Sequence, residues 1–352
     1  MTEKHLVRTR PSLAVLVAVA ALAAAGPAAP PAEAQAPILI RMATLVPDGS
    51  SWHLILKEAA DQWKQVSGGR VSVRLFPGGV AGDDPDVVRK MRLGTLNAGV
   101  LTSVGVAEID KSVYAMGIPL MYESYDEVYW VHEKMRPKLE ASLDAKGFVV
   151  LNWADGGWVH FFTKKPVAVP DDLRKLKLFT WAGDAEAVEV WRSAGFNPVP
   201  LPSTEIATAL QTGLVEALGA PPQVAVISQF FNQAKYMTDL RWQLLQGATI
   251  ITKAAWEKIP ADVKPGLLRV SQEAGKRLQK EIREAEAKDV EAMKKRGLTV
   301  VPVSAAQGAQ WQKLTESIYP RIKGKVVPAE AFDEAMRYRD EYRRQRGAAA
   351  GK

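Results

Sequence analysis

The amino-terminal part of the chain alternates apolar runs with amphipathic segments, and this alternation restricts the fold more than any other feature. Residues 38–43 form an apolar run suited to a buried strand. Between residues 52 and 63 apolar side chains recur at helical spacing, and residues 71–76 then alternate as a half-buried strand does. A helix at about residues 85–93 and a strand at 98–102 follow. This β-α-β-α-β order predicts an α/β fold with a parallel sheet covered by helices.

The second half of the chain continues the alternation. Asp184 is predicted to be the N-cap of a helix that carries Trp191, and Ser203 or Thr204 to begin the next helix. Further strands are predicted at residues 148–151, 158–162 and 249–252. Residues 264–296 are rich in Lys, Glu, Ala and Leu and predict one helix about 50 Å long. Such a helix is longer than one small lobe.

The amino terminus has the three parts of a secretory signal peptide. Basic residues come first, an apolar run follows at residues 11–25, and small residues at 32–34 offer a cleavage site. We therefore expect a cleaved signal peptide over residues 1–34 and export to the periplasm. The alternative is a retained membrane anchor, for which the apolar run is short.

Composition excludes several classes of function. The sequence has 352 residues and no cysteine, which excludes disulfides, cysteine-ligated zinc and thiol catalysis. The formal net charge is +7, but acidic and basic residues alternate as on a solvated surface, which argues against a nucleic-acid partner. The roughly 315 residues that follow the leader exceed one ordinary core and favour two domains.

Several segments, taken in order, resemble one family. They are residues 76–84 (FPGGVAGDD), 93–98 (LGTLNA), 209–216 (ALQTGLVE) and 254–260 (AAWEKIP), together with the stretch 171–222. Each is similar to a segment of the DctP-type solute receptors of tripartite ATP-independent periplasmic (TRAP) transporters. The resemblance extends over nearly the whole chain after the leader.

This resemblance implies a periplasmic binding protein fold of two α/β lobes, joined by hinge strands and crossed by the long helix. The first lobe would comprise residues 37–160 plus about 248–285, and the second 161–247 plus about 286–346. A small organic ligand would bind in the cleft without a cofactor, and the closed form would engage the small and large membrane subunits. The receptor would be a monomer, or a homodimer that pairs through residues 329–346.

The chain departs from the family pattern at positions that the resemblance places in the cleft. Phe179 stands where the family has an arginine that grips the ligand carboxylate. Ala220 replaces a ligand-binding asparagine, and Val159 replaces a second arginine. The other positions predicted to border the ligand are Leu45, Asp84, Thr102, Ser103, Trp153, Trp158, Trp181 and Ser203. A buried carboxylate that loses its cationic partner is destabilised by about 3–5 kcal/mol.

Aromatic side chains replace the clamp, and they favour a planar or apolar ligand. We therefore predict a neutral ligand, apolar or aromatic, near Phe179 and Trp181. For Trp153 the alternative is a place in the core of a lobe. The alternative ligand is an organic acid held by another cation, and Lys177 is a candidate because strand alternation puts it on the same side as Phe179.

Sequence motifs of catalysis are missing. The chain has no HExxH pair, no GxSxG elbow and no Walker loop, and its carboxylates are not clustered as metal ligands. The position of His160 on an apolar strand favours a structural role for this histidine. We expect a transport receptor that is not an enzyme. A sensory or scavenging receptor is the alternative, because it needs the same closing cleft.

Overall fold

A computed structural model describes residues 1–2 and 36–350, with side chains up to residue 347. The predicted signal peptide therefore lies outside the described residues, apart from its first two. The described residues from Pro37 onward belong to one compact unit.

The described residues form ten strands and twelve α-helices. The strands are β1 (Ile38–Thr44), β2 (Val71–Phe76), β3 (Ala98–Thr102), β4 (Phe148–Thr163), β5 (Lys177–Trp181), β6 (Asn197–Leu201), β7 (Ala217–Ala220), β8 (Tyr236–Thr238), β9 (Gln243–Thr252) and β10 (Thr299–Val301). The helices are α1 (Ser51–Val66), α2 (Asp84–Arg92), α3 (Ser103–Ala107), α4 (Tyr125–Ala145), α5 (Pro170–Arg174), α6 (Ala185–Ser193), α7 (Ile206–Thr212), α8 (Pro222–Ile227), α9 (Lys253–Lys258), α10 (Lys264–Lys294), α11 (Ala305–Ile322) and α12 (Ala329–Ala350). Short 3₁₀ segments are Lys111–Gly117, Ser203–Glu205 and Phe230–Asn232.

The strands form one sheet in two halves, in the order β2-β1-β3-β9-β4-β7-β5-β6. In the first half β1 runs parallel to β2 and β3, as predicted, and β9 is antiparallel to β3 and β4. In the second half β5 runs parallel to β6 and β7, and β8 joins β4 to β10. Strand β4 pairs with β9 as far as Val159 and with β7 from His160 onward. It therefore connects a first lobe, built on β1–β3, with a second lobe, built on β5–β7.

Strand β4 corrects one prediction, because its 16 residues are continuous where two separate strands were expected. Asn152, Asp155 and two glycines interrupt the apolar pattern and suggested a break. The pairing with β9 continues through this stretch, with register shifts between Val150 and Asn152 and between Asp155 and Gly157. β-Bulges of this kind bend a strand without ending it, which suits a connection between lobes.

The long helix is confirmed. Helix α10 begins at Lys264 with a proline in its first turn, where the missing N–H costs no hydrogen bond, and it ends at Lys294. It contacts α1 in the first lobe, β4 between the lobes and α8 in the second lobe. The helix therefore lies across both lobes.

The predicted lobe boundaries and the oligomeric state stay predictions. Helix α11 contacts α5 and α6, whereas α12 contacts α4 of the same chain. Trp130 of α4 lies against Tyr338 and Tyr342 of α12, with ring centroids 6.3 and 5.8 Å apart. Among the described residues, no helix combines the length and apolarity that a membrane crossing requires.

Candidate functional site

A cavity of about 580 Å³ lies where strands from both lobes end. Its wall includes Leu45 just after β1, Thr102 at the end of β3, Trp181 at the end of β5 and Ala220 at the end of β7. Ligands of open α/β folds bind outside the carboxyl ends of parallel strands, so the cavity has the position expected of a binding site. Its volume is in the range typical of small-molecule sites.

Eight of the predicted site residues line this cavity. They are Leu45, Thr102, Ser103, Val159, Phe179, Trp181, Ser203 and Ala220. Together they come from β3, β4, β5 and β7, from the first residues of α3 and of the 3₁₀ segment Ser203–Glu205, and from the residue after β1, as a cleft between two lobes requires. Their contacts with a ligand stay predictions.

Phe179 belongs to an apolar layer of the second lobe. Its residue is 6% exposed, and its ring meets that of Trp181 edge to face, with centroids 5.9 Å apart. Ile206, Ala220 and Phe230 belong to the same apolar cluster. The position that carries the carboxylate clamp in the family pattern is therefore part of a hydrophobic wall.

Three predicted site residues do not line the cavity. Trp153 donates its indole N–H to Glu140, at 3.0 Å between Nε1 and Oε1. Trp158 is fully buried beside Tyr125, with ring centroids 5.5 Å apart. Asp84 is also fully buried, behind Thr102. For Trp153, this position agrees with the alternative that it belongs to the core of a lobe.

Asp84 organises the first-lobe wall from behind. Its Oδ2 accepts hydrogen bonds from the backbone N–H of Thr102 at 2.8 Å and from the Thr102 hydroxyl at 2.7 Å. Burial raises the pKa of this carboxyl to about 7, against the opposing effect of the Thr102 hydrogen bonds. Helix α3 packs closely on it, because a Cβ atom at Gly105 would lie 2.8 Å from the Asp84 Cβ.

The charge of the cavity wall is negative. Within the part of the chain that the structure describes, the lining residues include Asp155 and Asp184 but no Lys, Arg or His. Lys177, the alternative cation, is directed elsewhere, because its Nζ donates to the carbonyl oxygen of Gly213. Among the described residues that line the cavity, an anionic ligand would therefore meet two carboxyl groups and no cationic side chain.

Asp155 lies at the bulge of β4, where the two lobes are connected. Its Oδ2 accepts a hydrogen bond from the Tyr129 hydroxyl, and among the described residues its Oδ1 has no partner. Burial raises the pKa of this carboxyl to about 6, although Tyr129 and the Arg283 guanidinium oppose the shift.

Contacts between the lobes border the cavity. Asp83, at the start of α2, accepts from the Ser203 backbone N–H at 2.6 Å and from the Ser203 hydroxyl at 2.8 Å. Nearby, a Cβ atom at Gly183 would lie 2.8 Å from the Cγ of Pro85, so the loop before α6 needs a glycine for this approach. We call the hydrogen bonds between Asp83 and Ser203 the interlobe latch. They engage the hydroxyl of Ser203, a residue that the sequence predicted to border the ligand.

Sequence reasoning missed a large part of the wall. The cavity also touches Asp184, Ala187, Trp191 and Ala194 of the α6 region and Ile318 and Ile322 of α11. The aromatic lining residues number eight: Trp52, Tyr114, Phe161, Phe179, Trp181, Trp191, Phe230 and Trp242. The spacing of residues 184, 187, 191 and 194 marks one helix face and could have been recognised. Nothing local in the sequence indicates that α11 meets it.

Groups for metal or acid–base chemistry do not converge in the described residues. No cluster of three or more His, Asp or Glu side chains is found there. His160 is buried, and its Nδ1 lies 3.1 Å from the Thr238 carbonyl oxygen. Burial lowers the pKa of His132 to about 4.

Known proteins match this chain along most of its length. Residues 42–325 match the DctP family, described as bacterial extracellular solute-binding protein, family 7. The chain is 26% identical over 322 residues to the C4-dicarboxylate-binding periplasmic protein DctP of Rhodobacter capsulatus, covering 90% of this chain and 95% of that protein. It is 25% identical over 253 residues to the 2,3-diketo-L-gulonate-binding periplasmic protein YiaO of Escherichia coli, covering 71% and 77% respectively.

Solved structures share the fold. A TRAP periplasmic solute-binding protein of Sulfurospirillum deleyianum, with bound succinate, superposes with a TM-score of 0.78 at 22% identity and covers 86% of this chain and 98% of that one. The sugar acid binding protein DctPAm of Advenella mimigardefordensis, in complex with galactonate, gives a TM-score of 0.81 at 20% identity, covering 87% and 98%. The family match, the two lobes and the cavity between them establish that this chain belongs to the DctP family of extracellular solute-binding proteins and is a receptor, not an enzyme.

Proposed function

We propose that this receptor, whose family places it with TRAP-type transporters, binds a neutral small molecule with large apolar or aromatic surfaces. The observation that carries the proposal is the composition of the cavity wall. Eight aromatic side chains line it, and the charged residues of the wall, within the described residues, are Asp155 and Asp184. Closure of the lobes over such a ligand would deliver it to the membrane subunits.

An anionic ligand would have to give up its hydration to enter the cavity. Moving a carboxylate out of water costs several kcal/mol unless hydrogen bonds and an opposite charge replace the solvent. This wall offers two carboxyl groups instead, which would repel an anion where the dielectric constant is low. Succinate and galactonate are bound in the two structures described above, and both are acids. A neutral ligand avoids the electrostatic cost in this chain.

An apolar ligand can gain affinity from the surface area that it buries in the cavity. Burial of apolar surface contributes about 25 cal/mol per Å², and aromatic walls add stacking when the ligand itself has a ring. Trp181 and Phe179 present such a surface at the end of β5. The energy that a charge clamp would provide can therefore come from contact area.

Matched ligand pairs test the proposal directly. Benzoate would be compared with benzamide and benzyl alcohol, and succinate with succinamide, by thermal shift and by titration calorimetry. A ligand at about a hundred times its Kd stabilises the folded state by about 2.7 kcal/mol, so a binder is easily seen. We expect the neutral aromatic members to stabilise the protein and the acids to have no effect. Stabilisation by the acids alone would refute the proposal.

Two tryptophan variants complete the test. Trp181→Ala removes a side chain that lines the cavity, whereas Trp153→Ala removes one that lies outside it. We expect the first variant to lose affinity for the neutral ligands. The second should keep that affinity even if it lowers the stability of the fold.

Export is part of the proposal. We propose that the signal peptide over residues 1–34 is cleaved and that the receptor works in the periplasm, which agrees with the extracellular family. Intact mass of the protein from a periplasmic extract measures the cleavage. A chain that keeps residues 1–34 would contradict it.

A further inference from the structure

The cavity continues beyond the cleft, along one face of α6. Asp184, Ala187, Trp191 and Ala194 line it, and their spacing of three, four and three residues keeps them on the same side of the helix. Ten residues of helix extend about 15 Å. The cavity therefore follows the whole length of α6, from the cleft at its amino-terminal end to its C-cap at Ala194.

Helix α11 encloses the far end of this extension. The Arg321 guanidinium donates to the Ser193 carbonyl oxygen at 2.8 Å, which holds α11 against the last turn of α6. The Tyr319 hydroxyl donates to the Pro119 carbonyl oxygen at 2.7 Å. Ile318 and Ile322, one turn apart on α11, then face the cavity.

The side wall of the extension is also apolar. Trp191 and Trp242 stack with ring centroids 5.5 Å apart, and both line the cavity. We call the part of the cavity lined by Ala187, Trp191, Ala194, Ile318 and Ile322 the apolar arm. Apart from the indole N–H of Trp191, its side chains have no group to which a water molecule could hydrogen-bond, and apolar cavities stay dry and bind apolar molecules. An empty arm also costs stability, because its walls lose dispersion contacts.

We propose that the apolar arm holds the tail of an elongated neutral amphiphile. This rests on the proposed function and adds the length and shape of the ligand to its charge. The polar head would lie in the cleft, where Thr102, Ser103 and Gln246 border the cavity, and the tail would extend along α6 to Ile322. A compact ligand would fill the cleft and leave the arm empty.

A homologous series of primary alcohols tests the proposal. The dissociation constants of n-butanol, n-hexanol, n-octanol and n-decanol would be measured by titration calorimetry with the mature protein. Each methylene group buried in the arm should strengthen binding about fourfold. The gain should continue along the whole series, since even an extended ten-carbon chain is shorter than the roughly 15 Å of helix that the arm follows.

A plugging variant and a matched control locate the effect. Ala187→Phe puts a ring into the arm, whereas Ala185→Phe makes the same substitution at an exposed position of the same helix. In Ala187→Phe we expect the gain with chain length to disappear, so that the longer alcohols bind no more tightly than n-butanol. Ala185→Phe should behave as the wild type does. Ala194→Phe, at the C-cap of α6, should weaken the binding of the longest alcohols more than that of the shorter ones.

The position of the tail can also be measured in the wild-type protein, so that the result does not depend on whether a variant folds. In crystals soaked with an iodine-terminated octanol, the anomalous signal should lie beside Ile318 and Ile322. An anomalous signal in the cleft, or an unchanged dependence on chain length in Ala187→Phe, would overturn the proposal of a tail in the arm. Neutral aromatic ligands would still bind in that case, so the proposed function would stand. If only acids bind, the proposed function fails and the arm fails with it.

Discussion

The two walls of the cavity use polar and apolar residues in opposite ways. On the first-lobe wall, at the end of β3, Thr102 keeps the polar character expected from the family pattern, but its hydroxyl donates to the buried Asp84. On the second-lobe wall, at the end of β5, the rings of Phe179 and Trp181 line the cavity, and the phenyl ring at the clamp position has no polar atom. One wall holds its own backbone in place, and in our proposal the other sets which ligands can be buried.

The hydrogen-bonded wall maintains the fold, whereas the apolar wall is the one that we propose to select the ligand. Polar side chains that border the cavity are already used for hydrogen bonds within the protein, from Thr102 to Asp84 and from Ser203 to Asp83. A polar residue in the cleft is therefore no sign of a polar ligand. We propose instead that position 179 and the carboxyl groups of the wall set the charge of the ligand.

The largest effect is expected from Phe179→Arg, which would reverse the character of the second-lobe wall. A buried guanidinium without a partner should destabilise the ligand-free protein by about 3–5 kcal/mol, and a carboxylate ligand should restore part of this. Thermal shift with succinate measures the change. Phe179→Leu is the control, with a smaller loss of stability and no response to succinate. Equal responses in the wild type and both variants would show that residue 179 does not set the charge preference.

Asp84→Ala would break the first-lobe wall instead. Two donors of Thr102 would lose their acceptor inside the protein, which should lower the free energy of unfolding by about 3 kcal/mol. Urea denaturation measures this change. Asp86→Ala, on the exposed side of the same helix, should change stability by less than about 0.5 kcal/mol. Similar losses in the two variants would mean that Asp84 does not support the wall.

The sequence predicted the parts of the fold that depend on local patterns. Strands β2 and β3 have the predicted bounds, and α10 begins at the predicted residue. Asp184 caps α6 as expected, since its Oδ1 accepts from the Ala187 N–H at 3.0 Å. Each of these depends on spacing within a few residues.

The features that sequence reasoning missed depend on packing between distant segments. Strand β4 continues through its polar residues because β9 pairs with it, and the pattern of β4 alone cannot reveal its partner. The apolar arm forms because α11 lies against the end of α6, although Ser193 and Arg321 are far apart in the chain. Positions near the motifs could therefore be inferred, whereas the full extent of the cavity could not.

The pH dependence of stability gives a finer measure of the first-lobe wall. Burial raises the pKa of Asp84 from 3.8 to about 7, so the folded protein keeps a proton that the unfolded chain has released between these pH values. The free energy of unfolding should therefore fall with rising pH, by up to about 1.4 kcal/mol per unit. The difference between wild type and Asp84→Asn, measured in urea from pH 4 to pH 8, isolates this group. A difference that is constant with pH would contradict the raised pKa.

The smallest expected effect concerns the interlobe latch, which joins the two walls. Hydrogen bonds to a buried carboxylate contribute more than exposed ion pairs do, so Asp83 and Ser203 should show a coupling free energy of about 1–2 kcal/mol. A double-mutant cycle of Asp83→Ala and Ser203→Ala measures it by urea denaturation. The backbone N–H of Ser203 remains in both single variants, so the cycle reports the hydroxyl contact.

A second pair across the same cleft is the matched control for the latch. Lys111 and Glu186 are 2.7 Å apart, but their side chains are 41% and 46% exposed, so their coupling should stay below about 0.5 kcal/mol. Added salt should reduce this coupling and leave the latch almost unchanged, since buried pairs are screened less. If the two pairs had equal couplings and equal salt dependence, the latch would be an ordinary surface contact. The closing energy between the lobes would then have to come from the apolar walls alone.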